Sequence, residues 1–222
     1  IPGRNNYMGI PVKTGQLVLT EAPGPLSFFF NLGPEKFYRF THAAILVMED
    51  GEPFVYDIAG ELSTMDALCA GRPTDAIAGK VRRNSFYEYC KPNLYAEVFD
   101  PPPGVDTKKM ADFIQKAYKD ETPFDPYFNH ADKENLYCTQ LIDLTLQAGG
   151  AKPMEMVAMQ QNPSFLVALK WLAVPLDKNL PAGAFADKSR SVGSLGTFGS
   201  MVSVRSYYAA KKEIYIRFTK DQ

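Results

Sequence analysis

Asp50-Gly51 lies between two apolar, β-rich runs, residues 42–48 (HAAILVM) and 53–58 (PFVYDI). An Asp-Gly pair tolerates the positive φ angles of a two-residue hairpin turn, so the runs are read as its two arms. With the turn at 50–51, Glu49 pairs with Glu52 and Ala44 falls opposite Asp57. Strand side chains alternate, which puts His42, Ala44 and Asp57 on one face. His42 and Asp57 are then diagonal neighbours, roughly 7–8 Å apart at their backbones and within side-chain reach. A slip of one residue would send them to opposite faces.

The rest of the chain reads as strands first and helices second. Residues 16–20 (QLVLT), 79–83 and 94–99 are further strands; Leu94, Ala96 and Val98 alternate along the last. Residues 61–75 read as loop with a short helix near 63–69. The DPPPG segment at 100–104 marks the change from strands to helices. Asp106 or Thr107 caps a helix to about Lys119, with Met110, Phe113, Ile114 and Ala117 as its apolar stripe. Residues 120–135 form a polar loop. A second helix runs from about Leu136 to Ala148 and stops at Gly149-Gly150. Asn162-Pro163 starts a third, which ends before Pro175. Residues 181–203 are rich in Gly and Ser; the part near 189–200 is either a lid or a mobile loop. Residues 212–218 close the chain as a strand. This order predicts one α+β domain over residues 1–222, with a mostly antiparallel sheet core and packed helices.

The chain has only two histidines and three cysteines. Cys138, in LYCTQLI, stands at the start of the second helix. A helix N-terminus and a neighbouring imidazole both favour the reactive thiolate. Cys138, Leu141, Ile142 and Thr145 share one helical stripe. Packing of the two apolar members on the sheet would point Cys138 toward the strand of His42. The unpaired N–H groups of the first turn are donors for an oxyanion. Asp57 would accept a hydrogen bond from one ring nitrogen of His42 and leave the other for Cys138. Taken singly, a helical cysteine is more often inert packing and a strand histidine more often structural. His130 is the rival base, and Glu61 and Asp66 are rival acids, all in loops that orient a side chain less rigidly.

A net charge of −1 gives nucleic acid no attraction, and no apolar run approaches the roughly 18 residues of a spanning helix. His and Cys are too few and too scattered for usual zinc spacing, so no metal or other cofactor is expected. The chain starts at Ile1, consistent with an exported (periplasmic or secreted) product or a trimmed chain. Cys69 and Cys90 are read as two unpaired thiols in preference to a disulfide. The Phe-rich residues 28–40 read first as core, and second as the wall of a cleft for an apolar acyl chain or amide lipid.

Five segments in this order, GQLVLT (15–20), FTHAAILV (40–47), FVYDIAG (54–60), YFNH (127–130) and LYCTQLI (136–142), resemble the permuted NlpC-type, papain-like superfamily, in particular its YaeF/YiiX group. The resemblance covers residues 14 to 146 or so and leaves about the last 75 residues, among them a C-terminal extension of about 176–222, without a matching motif. It implies a circularly permuted papain-like fold in which the histidine precedes the cysteine. Cys138 falls on the nucleophile, His42 on the base and Asp57 on the third polar position. Tyr137 matches the aromatic before the nucleophile, and Thr41 stands where Ser is usual; both are expected beside substrate or oxyanion. Gln16 replaces an Asp, Asp57 stands where Glu is commoner, and Thr139-Gln140 replace Ser-Glu. The implied activity is cysteine-dependent hydrolysis of an amide (peptide or amide-lipid) or ester bond through an acyl-enzyme. The implied partners are peptide, cell-wall or lipid-derived substrates. An acyltransferase using the same pair, and a binding module that keeps the cleft without catalysis, are the alternatives.

Overall fold

The structure is a computed structural model that describes residues 6–21, 31, 33–60, 79–160 and 177–196. The expected helices near 63–69 and after 163, the strand at 212–218, Cys69, Glu61, Asp66 and residues 28–30 lie outside the described residues.

A short arm, β1 (Asn6–Tyr7) and β2 (Ile10–Pro11), precedes the core strands. These are β3 (Leu17–Glu21), β4 (His42–Glu49), β5 (Glu52–Gly60) and β6 (Gly79–Ser85). Helix α1 (Phe86–Cys90) follows, then β7 (Tyr95–Phe99), α2 (Thr107–Lys119) and α3 (Cys138–Ala148). Strands β8 (Val157–Ala158) and β9 (Lys178–Asn179) form a small separate pair, and β10 (Ser191–Gly196) returns to the main sheet. That sheet has six strands in the order β10-β7-β3-β4-β5-β6, every neighbouring pair antiparallel. The architecture is α+β, as the strand-then-helix order predicts.

Asp50 and Gly51 have φ of 51° and 85°, the positive pair that a two-residue hairpin turn requires. The register follows as expected, with Glu49 opposite Glu52 and Ile45 opposite Tyr56. β4 is buried on both faces, which is why its sequence is apolar without a break. Ala43, Ile45 and Val47 pack with Tyr56, Ile58, Leu141 and Ile142 on the side covered by α2 and α3. Ala44, Leu46 and Val55 pack with Phe86, Tyr89 and Ile10 on the other side, under α1 and the N-terminal arm. Each fully buried aliphatic contributes about 1.5–3 kcal/mol, so both layers hold the central strand.

Three expectations are corrected. The first core strand covers 17–21, not 16–20. The second expected helix starts at Cys138 and not at Leu136: Leu136 is held in a bridge with Phe124, its N–H donating to Pro123 O at 3.0 Å, and Tyr137 stays extended (φ −97°, ψ 167°). Residues 191–196, read as part of a lid or mobile loop, are a strand paired with β7. Short helix α1 had no sequence reading; Ser85 caps it by accepting a hydrogen bond from Glu88 N–H at 3.3 Å.

Gly15 (φ +90°) lies so close to α2 that a Cβ would meet Thr107 Cγ2 at 2.5 Å. The next residue, Gln16, is fully buried and uses both ends of its amide. Its Oε1 accepts from Lys13 N–H at 2.8 Å, and its Nε2 donates to Pro11 O at 3.1 Å and Asp100 Oδ1 at 3.0 Å. An acid here would lose both donors and face the Asp100 carboxylate, so the amide is the fitting residue. Gln16→Glu is expected to cost about 2 kcal/mol in urea unfolding at pH 7. Part of that should return near pH 4, where protonation removes the repulsion. Equal losses at both pH values would refute the charge argument.

Candidate active site

His42 is the first residue of β4 and Asp57 lies on the adjacent strand β5. The hairpin register brings them together: His42 Nε2 donates to Asp57 Oδ2 at 2.8 Å. The Asp57 side chain is 0% exposed and that of His42 18%, so the pair is shielded while the ring keeps an open edge. With Nε2 committed to Asp57, Nδ1 is left for Cys138, which is close enough to act on the ring's protonation. Burial alone would lower the His42 pKa. The negative charge of Cys138, the Asp57 hydrogen bond and the bond to Cys138 outweigh it, and the value is pushed up to about 10. At neutral pH the ring is therefore poised to hold a proton beside the sulfur.

Cys138 is the first residue of α3, and no side chain caps that helix. Tyr137, at the cap position, has no oxygen close to its own backbone to do so. The first-turn N–H groups thus remain donors beside the sulfur.

The sequence reading brought Cys138 to His42 by laying the helix on the sheet. Leu141 and Ile142 do pack on the sheet, against the face formed by Ala43, Ile45 and Val47. His42 belongs to the alternate series, with Ala44 and Leu46 on the opposite face. The two side chains meet because each begins its element, which puts the pair at the rim of the sheet and not within one face.

Two further residues complete the surroundings. Arg82, on β6, stands opposite Asp57 in the register. Its Nε donates to Asp57 Oδ1 at 3.1 Å and its Nη2 donates to Oδ2. Burial pushes the Asp57 pKa up, but the hydrogen bonds and charges of His42 and Arg82 prevail and hold it below the ordinary carboxylate value. Tyr89, on α1, sets its ring 6.3 Å from that of His42. Its hydroxyl is 3.5 Å from Oγ1 of Thr20, the residue opposite His42 on β3. Burial, then the charge of Asp57, keeps this phenol neutral. No sequence signal assigned either residue. Arg82 would have been legible only if the β5–β6 register were known.

The other sequence candidates lie around this centre. Thr41 donates its backbone N–H to Thr20 O at 3.0 Å, at the entry to β4. Tyr137 is buried, and its hydroxyl makes a 2.8 Å hydrogen bond with His130 Nδ1. The rival base is thus engaged with Tyr137, and burial holds its pKa below the ordinary histidine value. Gln140 donates from Nε2 to the carbonyls of His130 and Asp132, which a glutamate could not do. Cys90 is a free, buried thiol whose pKa burial pushes up to about 12.

The six-stranded antiparallel sheet and its few helices define an α+β protein with a YiiX-like fold. The fold is similar to the solved structure of the metalloprotein YiiX from Escherichia coli O157:H7: TM-score 0.62, 16% identity, 83% of this chain and 96% of that one covered. No protein-family model and no curated protein matches the sequence. No helix among the described residues is long and apolar enough to cross a membrane.

The described residues at this site do not fit a resident metal. Among the described residues no three His, Cys, Asp or Glu side chains converge as a ligand set. Both Asp57 oxygens are taken by Arg82 and His42, and Nε2 of His42 is taken by Asp57. Of these described side chains, Nδ1 of His42 and Sγ of Cys138 are left, two donors beside a guanidinium, where a cation is disfavoured.

Proposed function

We propose that this chain is a cysteine hydrolase on a circularly permuted papain-like domain, cleaving an amide or ester bond through an acyl-enzyme. The observation that carries the reading is His42, held by buried Asp57 and facing Cys138 at an uncapped helix start.

The proton of the Cys138 thiol rests on His42, and the thiolate so formed adds to the substrate carbonyl. First-turn N–H groups, including that of Cys138, donate to the oxyanion. The imidazolium gives its proton to the departing amine or alcohol as the C–N or C–O bond breaks, leaving a thioester. His42 then takes a proton from water, whose oxygen attacks the thioester. The C–S bond breaks, the acid leaves, and the sulfur departs beside His42, which keeps the proton it took from water. Asp57 holds the ring in one tautomer throughout. Peptide, cell-wall and lipid-derived amides or esters are the substrate classes consistent with this chemistry.

The direct test is intact-protein mass spectrometry after mixing with p-nitrophenyl esters of short and long acyl chains. An acyl mass on the peptide containing Cys138, absent in Cys138→Ala, is the expected outcome. No adduct and no turnover on any ester would overturn the hydrolase and favour a non-catalytic binding module.

A further inference from the structure

We infer that Arg82 is a positioning residue of this site: its guanidinium fork fixes the Asp57 carboxylate on His42 and its charge sets the pH range of the Cys138–His42 pair. The inference rests on the proposed Cys–His reading and extends it to a residue that touches neither the thiol nor the imidazole in any hydrogen bond described above.

The geometry is specific. Arg82 and Asp57 are directly cross-strand, so their side chains leave the sheet on one face. The planar fork uses Nε and Nη2 together, which stops rotation of the carboxylate about its own axis. A carboxylate held this way presents Oδ2 to His42 Nε2 in a single orientation. The same grip keeps Asp57 ionised although its side chain is 0% exposed. Arg82 itself is 47% exposed and lies on β6, the outermost strand of the sheet among the described residues. It belongs half to the solvent, so a need to fill the core does not account for it.

The charges facing the pair can be named element by element. Asp57 from β5 and Cys138 from α3 act on His42. His42 from β4 and Arg82 from β6 act on Asp57. Asp57 and the neutral phenol of Tyr89 from α1 act on Arg82. Arg82 is the fixed cation in this set. Removing it makes the local potential more negative by one charge. That disfavours the thiolate and favours the imidazolium, so the pH at which the ion pair forms and the pH at which it loses its last proton both rise.

The experiment is the pH dependence of Cys138 alkylation by iodoacetamide in wild type, Arg82→Gln and Arg82→Lys, with thermal melts to check folding. Wild type should show a midpoint well below the free-thiol value of about 8.5; its absence would refute the Cys–His reading itself. In Arg82→Gln both midpoints should rise by about one pH unit. In Arg82→Lys, which keeps the charge and loses the fork, the midpoints should stay. Turnover of any ester that acylates Cys138 should then fall by about tenfold, through looser placement of the ring. A Gln profile that overlays an activated wild-type profile would overturn the inference and leave the pair intact. If Arg82→Gln does not fold, Arg82→Lys decides: wild-type turnover with wild-type midpoints would overturn it.

Discussion

In His42→Ala, alkylation of Cys138 at pH 6 is expected to slow by about ten- to a hundredfold. In the proposed mechanism His42 and the uncapped helix start are what make the wild-type sulfur reactive. Without the ring it returns toward a free-thiol pKa of about 8.5, which leaves about 0.3% thiolate at pH 6. The more basic thiolate is intrinsically a better nucleophile and recovers part of the loss. The same residue has a stability signature. His42 is pushed up to about 10 in the folded protein from an ordinary value of 6.5. The folded state therefore binds more protons between these values. The His42 contribution to stability is fully present below about pH 6.5 and is lost as pH rises toward 10. Urea titrations of wild type and His42→Ala should converge over that window. Curves that stay parallel from pH 6 to 10, with unchanged alkylation, would show that the ring and the thiol are not coupled.

Asp57→Asn is expected to produce the second large effect, opposite in sign to that of Arg82→Gln. The substitution removes the anion that stabilises the imidazolium, so the upper pH limb should move down. Hydrolysis of any ester that acylates Cys138 should fall by about a hundredfold, because the ring loses its fixed tautomer and direction. Asp57→Ala should also lower stability by about 2 kcal/mol, measured by urea unfolding, since charge-assisted hydrogen bonds from two strands are lost together. The half-exposed Arg82 can return to water, which keeps this cost below that of stranding a fully buried charge. A variant with wild-type turnover and an unmoved upper limb would remove Asp57 from the site.

Gln16 and Gln140 show how far family-like motifs could be read. Each stands where the resembling group carries an acid, and each donates hydrogen bonds that an acid cannot. The sequence marks the departure, but the reason is visible only with Asp100 and the carbonyl of His130 in place.

What the sequence alone determined was local. Asp50-Gly51 permits one short turn, the turn fixes the register, and the two-residue period of a strand then puts His42 beside Asp57. Asp106 and the stripe of Met110, Ile114 and Ala117 determined α2 in the same way. What the tertiary structure decided was long-range. Residues 61–78 separate β5 from β6, and no short turn sets their register, so the pairing of Arg82 with Asp57 could not be read. The start of α3 was set by the bridge between Leu136 and Phe124, not by helix propensity. The face on which α3 packs was likewise undetermined, because β4 is apolar on both sides and either would bury Leu141 and Ile142 equally well. Turns of two residues transmit register along the chain. Loops and layer packing do not, so the contact of Cys138 with His42 at the sheet rim is a property of the assembled fold.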